Sequence, residues 1–309
     1  MKKFKELLLL SNLKRMSPIK INRDYVPILS RYGNFNKFLD YLEKQYSMED
    51  LDKALELTED ILDIIDSNPL FSAVTILDKE YPSKLKDLAN KAPPILYTVG
   101  NTEILSKPNM AVIGTRKPDI DTQNFEYRFV QNLVERTERA IISGLALGCD
   151  KTAHMATVDM REDTIAVLPV GINRISQLPN SRLAQMIVEN GGCLITSFKP
   201  NAGANKSSYD TRNQYVATLA DGIFVAQCSS ESGTMNTVDY ARKRHRRIGC
   251  FMPDDVGSAD FSGNELILKE YRHRSFAIKN QDDLDGFLEF LVSRPKKRDY
   301  QSTLLDFMG

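Results

Sequence analysis

A dinucleotide signature is missing from this chain. The turn after its first buried-looking strand reads Gly114-Thr115-Arg116-Lys117-Pro118, without the GxGxxG spacing that seats a pyrophosphate on a helix. A dinucleotide dehydrogenase is therefore disfavoured. The four cysteines are scattered and form no CxxC pair, which argues against structural zinc and suits reduced thiols in an intracellular protein. No metal and no cofactor are expected. No apolar run approaches the roughly 18 residues of a membrane span, and Leu7 to Leu10 is too short for a signal-peptide core. A cytoplasmic protein without a membrane partner is expected. Excess charge is absent too, since 41 basic residues balance 41 acidic ones. Any nucleic-acid role must then rest on local clustering.

What is present is a regular alternation. Residues 109–251 read as five rounds of strand, glycine turn and helix. The strands are Met110 to Ile113, Ala140 to Ile142, Thr164 to Leu168, Cys193 to Thr196 and Gly222 to Ala226. Short apolar runs alternating with helical stretches indicate a parallel sheet covered by helices. Upstream, residues 1–68 hold no glycine except Gly33 and repeat apolar residues at helical spacing. The expected class is α/β: an extended Rossmann-like parallel sheet with helices on both faces, preceded by a small all-helical domain. The expected divisions are a helical N-terminal domain (1–69), the Rossmann-like domain (70–294) and a basic C-terminal tail (295–309). The helical domain reads most plainly as a packing or oligomerisation module. Within 70–101, strands over Ala73 to Leu77 and Ile95 to Val99 would join the sheet edge. Beyond residue 251, a helix, a short strand at Phe276 to Ile278 and a final helix near Asp282 to Leu291 complete the pattern.

In such sheets ligands bind at the carboxyl ends of the strands, so the turns are the candidate site. Gly114 and Thr115 expose backbone N–H groups before a helix, where anions bind, and Arg116 adds a planar fork suited to phosphate. Ser143 and Gly144 open a small-residue turn that lets a ligand approach the backbone. Asp150 is a candidate N-cap, and His154 lies four residues on, sharing its helical face. They are either an acid–base pair or, the favoured reading, structural residues in the pocket, because no GxSxG-type nucleophile motif surrounds them. Lys151 points at solvent or phosphate. Arg212 would supply a second guanidinium and Asn213 a bridging amide, both at the opening of a helix, while Ser232, Gly233 and Thr234 form a phosphate cradle before the next helix. No catalytic residue is assigned.

Two further stretches carry charge or pattern. Arg242-Lys243-Arg244-His245-Arg246-Arg247 is either favourable charge at a helix C-terminus or part of an anion-binding surface. In the tail, Gln301, Leu304 and Phe307 have the spacing of sliding-clamp-binding peptides; the plainer reading is an amphipathic end docking on its own domain.

Together these turns resemble the DNA-processing protein A (DprA, also called Smf) family. The likeness runs from about residue 71 to 270. It is carried by Tyr81-Pro82 with Leu85, Pro94-Ile95-Leu96-Tyr97 with Gly100, and Val112-Ile113-Gly114-Thr115-Arg116. Ser143-Gly144-Leu145-Ala146 with Gly148, Asp150, Ala153 and His154 fits the most specific motif. Thr164 to Leu168 with Gly171, Arg212-Asn213, Ser232-Gly233-Thr234 and Asn264 with Leu266-Ile267 also fit. The resemblance implies a non-enzymatic protein that binds single-stranded DNA in this pocket, protects incoming strands and helps load a RecA-type recombinase in natural transformation or recombination, commonly as a homodimer. The chain departs from the family at several points. Tyr209-Asp210 replaces a Phe-Pro pair, Phe198 an acidic residue, Asp254 a glycine and Glu270-Tyr271 a Gly-Ala pair. No winged helix follows, and no helix–hairpin–helix glycine pattern lies near Met16-Ser17-Pro18, so a divergent member is expected. The alternative is a nucleotide-binding sensor or nucleotide hydrolase of the related Rossmann superfamily. Its hydrolases follow their glycine turn with two glutamates, whereas Met235-Asn236-Thr237 stands here, and hydrolysis without a positioned acid or base loses its chemical lever.

Overall fold

The computed structural model describes residues 3–257 and 259–293; the clamp-like positions Gln301, Leu304 and Phe307 lie outside them. The chain begins with α1 (Phe4–Asn12), α2 (Pro18–Lys20), α3 (Phe35–Glu43) and α4 (Met48–Asp66). Ser17, Asn34 and Ser47 start the last three by accepting the N–H of Lys20, Lys37 and Asp50, as N-caps do. Four consecutive leucines of α1, Leu7 to Leu10, are fully buried. A helix apolar all round must be enclosed, and α1 packs against α3, α4 and the first two strands. Its leucines share one apolar cluster with Ala73, Tyr97, Leu168 and Leu194 of the sheet region.

The strands are β1 (Phe71–Thr75), β2 (Ile95–Gly100), β3 (Asn109–Ile113), β4 (Ala140–Ser143), β5 (Thr164–Val167), β6 (Cys193–Thr196), β7 (Gly222–Val225), β8 (Arg247–Phe251) and β9 (Ser275–Ile278). They form one sheet in the order β1-β2-β6-β5-β4-β3-β7-β8-β9. From β6 to β9 every pairing is parallel, while β2 runs antiparallel to both β6 and β1. The connecting helices are α5 (Ile120–Arg136), α6 (Cys149–Asp159), α7 (Ser181–Glu189), α8 (Lys206–Leu219), α9 (Gly233–Lys243), α10 (Ser262–Glu270) and α11 (Leu284–Val292). They cover both faces. In β3, Met110 and Val112 join the cluster of Phe129, Leu133 and Phe287. Ala111 and Ile113 join that of Val216, Leu219 and Val238 on the other face. Burial on both faces explains why the strands read as continuous apolar runs instead of alternating ones.

One strand escaped the sequence pattern. β8 begins inside the basic run, at Arg247, so its polar start hides a five-residue element. Gly249 at its centre admits helix α11 closely, since a Cβ there would lie 2.6 Å from the Phe287 ring. The basic run accordingly sits at the amino end of β8. Arg242 pairs with Asp239 and Glu270, Arg246 donates to the Thr218 carbonyl, and the His245 carbonyl accepts from Arg274. These contacts tie α8, α9 and α10 together at the end of the sheet opposite the strand carboxyl termini. No helix among the described residues is long and apolar enough to cross a membrane.

The chain winds from β3 outward through β4, β5 and β6, then crosses back to place β7 on the other flank of β3. That reversal creates a crevice at the carboxyl ends of β3 and β7. Because the N-terminal helices and the sheet share a core, Leu8→Ala is expected to lower stability by about 2–5 kcal/mol. Urea unfolding followed by circular dichroism should show one transition shifted to lower denaturant. Two separated transitions would show that the helices unfold on their own.

Candidate nucleic-acid interface

The crevice encloses about 550 Å³ and is lined by the turns after β3 and β4 and by the first turns of α8 and α9. The turn after β3 is held rigidly. Thr115 N–H donates to the Gln227 carbonyl at 2.7 Å, Cys149 N–H to the Thr115 carbonyl at 3.1 Å, and the Thr234 hydroxyl to the Gly114 carbonyl at 2.9 Å. Residue 114 has to be glycine, because a Cβ there would overlap the Cys149 side chain. Arg116 projects from this turn. It is exposed, lies over the Tyr209 ring at 5.5 Å from the centroid, and has no carboxylate partner among the described residues.

The turn after β4 is built around a buried ion pair. Asp150 Oδ2 accepts from Gly144 N–H at 3.1 Å, from Ala146 N–H at 3.2 Å and from Arg212 Nη1 at 3.1 Å. The Arg212 and Asp150 side chains are only 8% and 6% exposed. The guanidinium lies flat against Gly144, where any Cβ would overlap it. From the other side Asn180 donates to the carbonyls of Leu145 at 3.1 Å and Ala146 at 2.8 Å, holding Leu145 in the left-handed region at φ 57°. That conformation is uncommon for leucine and persists only where its surroundings enforce it.

Several expectations for individual residues change here. Asp150 is not the N-cap of α6: Gly148 is, at φ 74°, and Asp150 is the second helical residue. Asp150 also does not pair with His154, whose Nδ1 lies 2.7 Å from the Thr164 hydroxyl. Thr164 donates its proton to the Ile141 carbonyl at 3.0 Å, so His154 donates from Nδ1. Burial pushes its pKa down to about 4. Ser143 is fully buried and donates to the Val112 carbonyl at 2.6 Å, so it supports the turn without facing the crevice. Lys151 is exposed on α6 and outside the lining. Arg212 does reach the lining, but its Nη1 is committed to Asp150, so it braces the turn.

The crevice brings together Gly114, Thr115, Arg116, Arg212, Asn213, Ser232, Gly233 and Thr234. It adds Tyr209, whose residue type alone suggests a face for base stacking, and Lys206 and Asn236, which were not assigned from sequence. Asn205 caps α8 through a reciprocal bond with Ser208, so the helix begins before Tyr209 and not at it. Lys206, Tyr209 and Asn213 then recur at helical spacing along one face, a periodicity visible once that Asn-Lys-Ser-Ser start is recognised. At α9 the N-cap Ser232 makes no side-chain cap bond, and the orphan N–H groups of the first turn suit an anion.

The groups that face the crevice suit an anion. Both lining carboxylates are already bonded, Asp150 as above and Asp210 by the Tyr240 hydroxyl at 2.7 Å. The Cys149 thiol beneath the floor is buried, and burial pushes its pKa well up, the opposite of an activated nucleophile. Among the described residues, no cluster of His, Cys, Asp and Glu is grouped to hold a metal.

The sequence model described as DNA recombination-mediator protein A matches residues 72–285. The chain is 32% identical over 178 residues to the DNA processing protein DprA of Streptococcus pneumoniae, covering 58% of this chain and 62% of that protein. It is 32% identical over 208 residues to protein Smf of Borreliella burgdorferi, covering 65% and 62%. It thus spans about three-fifths of these relatives' length. Among solved structures, DNA processing protein A of S. pneumoniae superposes with a TM-score of 0.71 at 22% identity over 91% of this chain and 96% of that one. DNA processing protein A of Helicobacter pylori, solved for its single-stranded DNA binding mode, gives 0.60 at 25% identity over 71% and 96%. The chain belongs to the DNA recombination-mediator protein A family.

Two outcomes separate bracing from binding residues. Arg212→Ala leaves Asp150 buried without its ion-pair partner and should cost about 3–5 kcal/mol, whereas exposed Arg116→Ala should change stability by less than about 0.5 kcal/mol; denaturant midpoints check both. The depressed His154 pKa means that the unfolded chain takes up a proton below pH 6.5 that the native state refuses until about pH 4. Stability is therefore expected to fall across that window with decreasing pH, by roughly 1.4 kcal/mol per pH unit from this group. The slope should flatten in His154→Gln, and an identical slope in that variant would contradict the assignment.

Proposed function

We propose that this family member binds single-stranded DNA in the carboxyl-end crevice, protects it, and assists a RecA-type recombinase during recombination or DNA uptake. Acting in the cytoplasm as a homodimer goes with that reading. The observation that carries it is the exposed Arg116 guanidinium over the Tyr209 ring, without a carboxylate partner among the described residues, in a crevice that Lys206 and the first turn of α9 also line. Arg116 and Lys206 supply phosphate contacts, the α9 N-terminus a third, and Tyr209 an aromatic face on which a base stacks. Affinity built from phosphates and one stacking face carries little sequence preference. The relatives named for DNA processing and the H. pylori protein's single-stranded DNA binding mode support this choice of ligand.

A free nucleotide is the second reading, because about 550 Å³ falls within the size range of small-molecule sites. Hydrolysis of such a ligand lacks a positioned acid or base, so this reading reduces to sensing.

Fluorescence anisotropy with labelled poly-dT across a salt titration tests the proposal. Binding is expected to weaken as salt rises. Arg116→Ala and Lys206→Ala should each lose about tenfold in affinity and flatten the salt dependence by about 0.7 in log–log slope. Full affinity in Arg116→Ala would contradict it, and no wild-type binding at low salt would favour the free nucleotide.

A further inference from the structure

A second, smaller cavity of about 100 Å³ opens at the same edge of the sheet. Ile95, the first residue of β2, and Ser197, just beyond the end of β6, form its floor. Because β2 runs antiparallel to β6, both residues stand at the carboxyl end of β6, on the side where the main crevice opens. Ser17, Pro18 and Ile21 of the N-terminal region form the opposite wall, and Lys199 stands at the rim. Lys199 is exposed as a residue, yet enough protein surrounds its ammonium to push its pKa below the usual lysine value, with no carboxylate offsetting that burial. An ammonium that loses water without gaining an anion is poised for one.

The two cavities are joined by a single segment. Lys199 and Lys206 are seven residues apart in sequence, so at most about 25 Å of extended chain separates them. Apolar carbons on both walls, hydroxyls between them and a cation at the rim match the parts of one nucleotide: a base against Pro18, Ile21 and Ile95, its phosphate on Lys199. The size argues against an independent small molecule, since such sites usually enclose about 300–1,000 Å³. A base belonging to a strand already held elsewhere needs only a shallow, partial contact here, because tethering raises its effective concentration and offsets the weak affinity of such a contact.

We propose that this cavity is a second nucleotide subsite, through which the N-terminal region lengthens the grip on a single strand held in the main crevice. The inference rests on the crevice being a single-strand site. It gives residues 1–69 a part in binding in addition to packing.

Oligothymidylates of about 3 to about 15 nucleotides, lengths that bracket single-strand footprints, separate the two claims when titrated against wild type, Lys199→Ala, Lys199→Arg and Arg116→Ala. Lys199→Ala is expected to bind the shortest oligomers like wild type and the longest about fivefold or more weakly, with a log–log salt slope shallower by about 0.7. Lys199→Arg should keep wild-type affinity, and unchanged melting temperatures would show both variants folded. If Lys199→Ala matches wild type at every length while Arg116→Ala weakens all of them, the subsite is wrong and the crevice stands. Absence of wild-type binding at any length would overturn both.

Discussion

The crevice depends on one buried ion pair. Arg212 reaches from α8 across to Asp150 at the start of α6, and the same carboxylate oxygen gathers two backbone N–H groups of the turn after β4. A buried pair of this kind contributes little net stability, because desolvating two charges offsets most of their attraction. What it contributes is position. The guanidinium occupies the space a side chain on residue 144 would need, so Gly144, Asp150 and Arg212 are one unit. Once they are set, α8 has a fixed rotation, and that rotation directs Lys206, Tyr209 and Asn213 into the crevice.

Around this brace the site follows from topology and local charge. The winding reverses between β3 and β7, leaving a gap at the strand ends that the turns after β3 and β4 and the starts of α8 and α9 line. The chain as a whole has no net charge, so any attraction for a polyanion has to come from cations kept free of carboxylates. Arg116 is such a cation. The densest cluster of cations, Arg242 to Arg247, lies at the other end of the sheet and is largely engaged with carbonyls and acidic side chains. Count of charge and availability of charge differ in this molecule.

The sheet was legible because its strands are buried on both faces and read as unbroken apolar runs, and the turns because small residues mark close backbone approach. What sequence left ambiguous were the partners of polar residues. Arg116 and Arg212 look alike in sequence as arginines between a strand and the helix after it, yet one is exposed and the other seals the floor. The difference is set by contacts 62 residues apart in the chain, between Asp150 and Arg212. The pairing of His154 with Thr164 is likewise invisible to helical spacing. β8 was hidden by its polar start, and Lys206 by placing the beginning of α8 several residues late. The family likeness identified the motifs; it did not separate residues that touch a ligand from residues that hold the turn.

Backbone hydrogen exchange with and without poly-dT tests most directly whether this crevice is the nucleic-acid site. Slower exchange is expected at Gly114 to Arg116 and in the first turn of α9, with the Arg242 to Arg247 region unchanged. Protection confined to that basic region, with the crevice amides exchanging as in the free protein, would contradict the assignment and move the binding surface to the opposite end of the sheet.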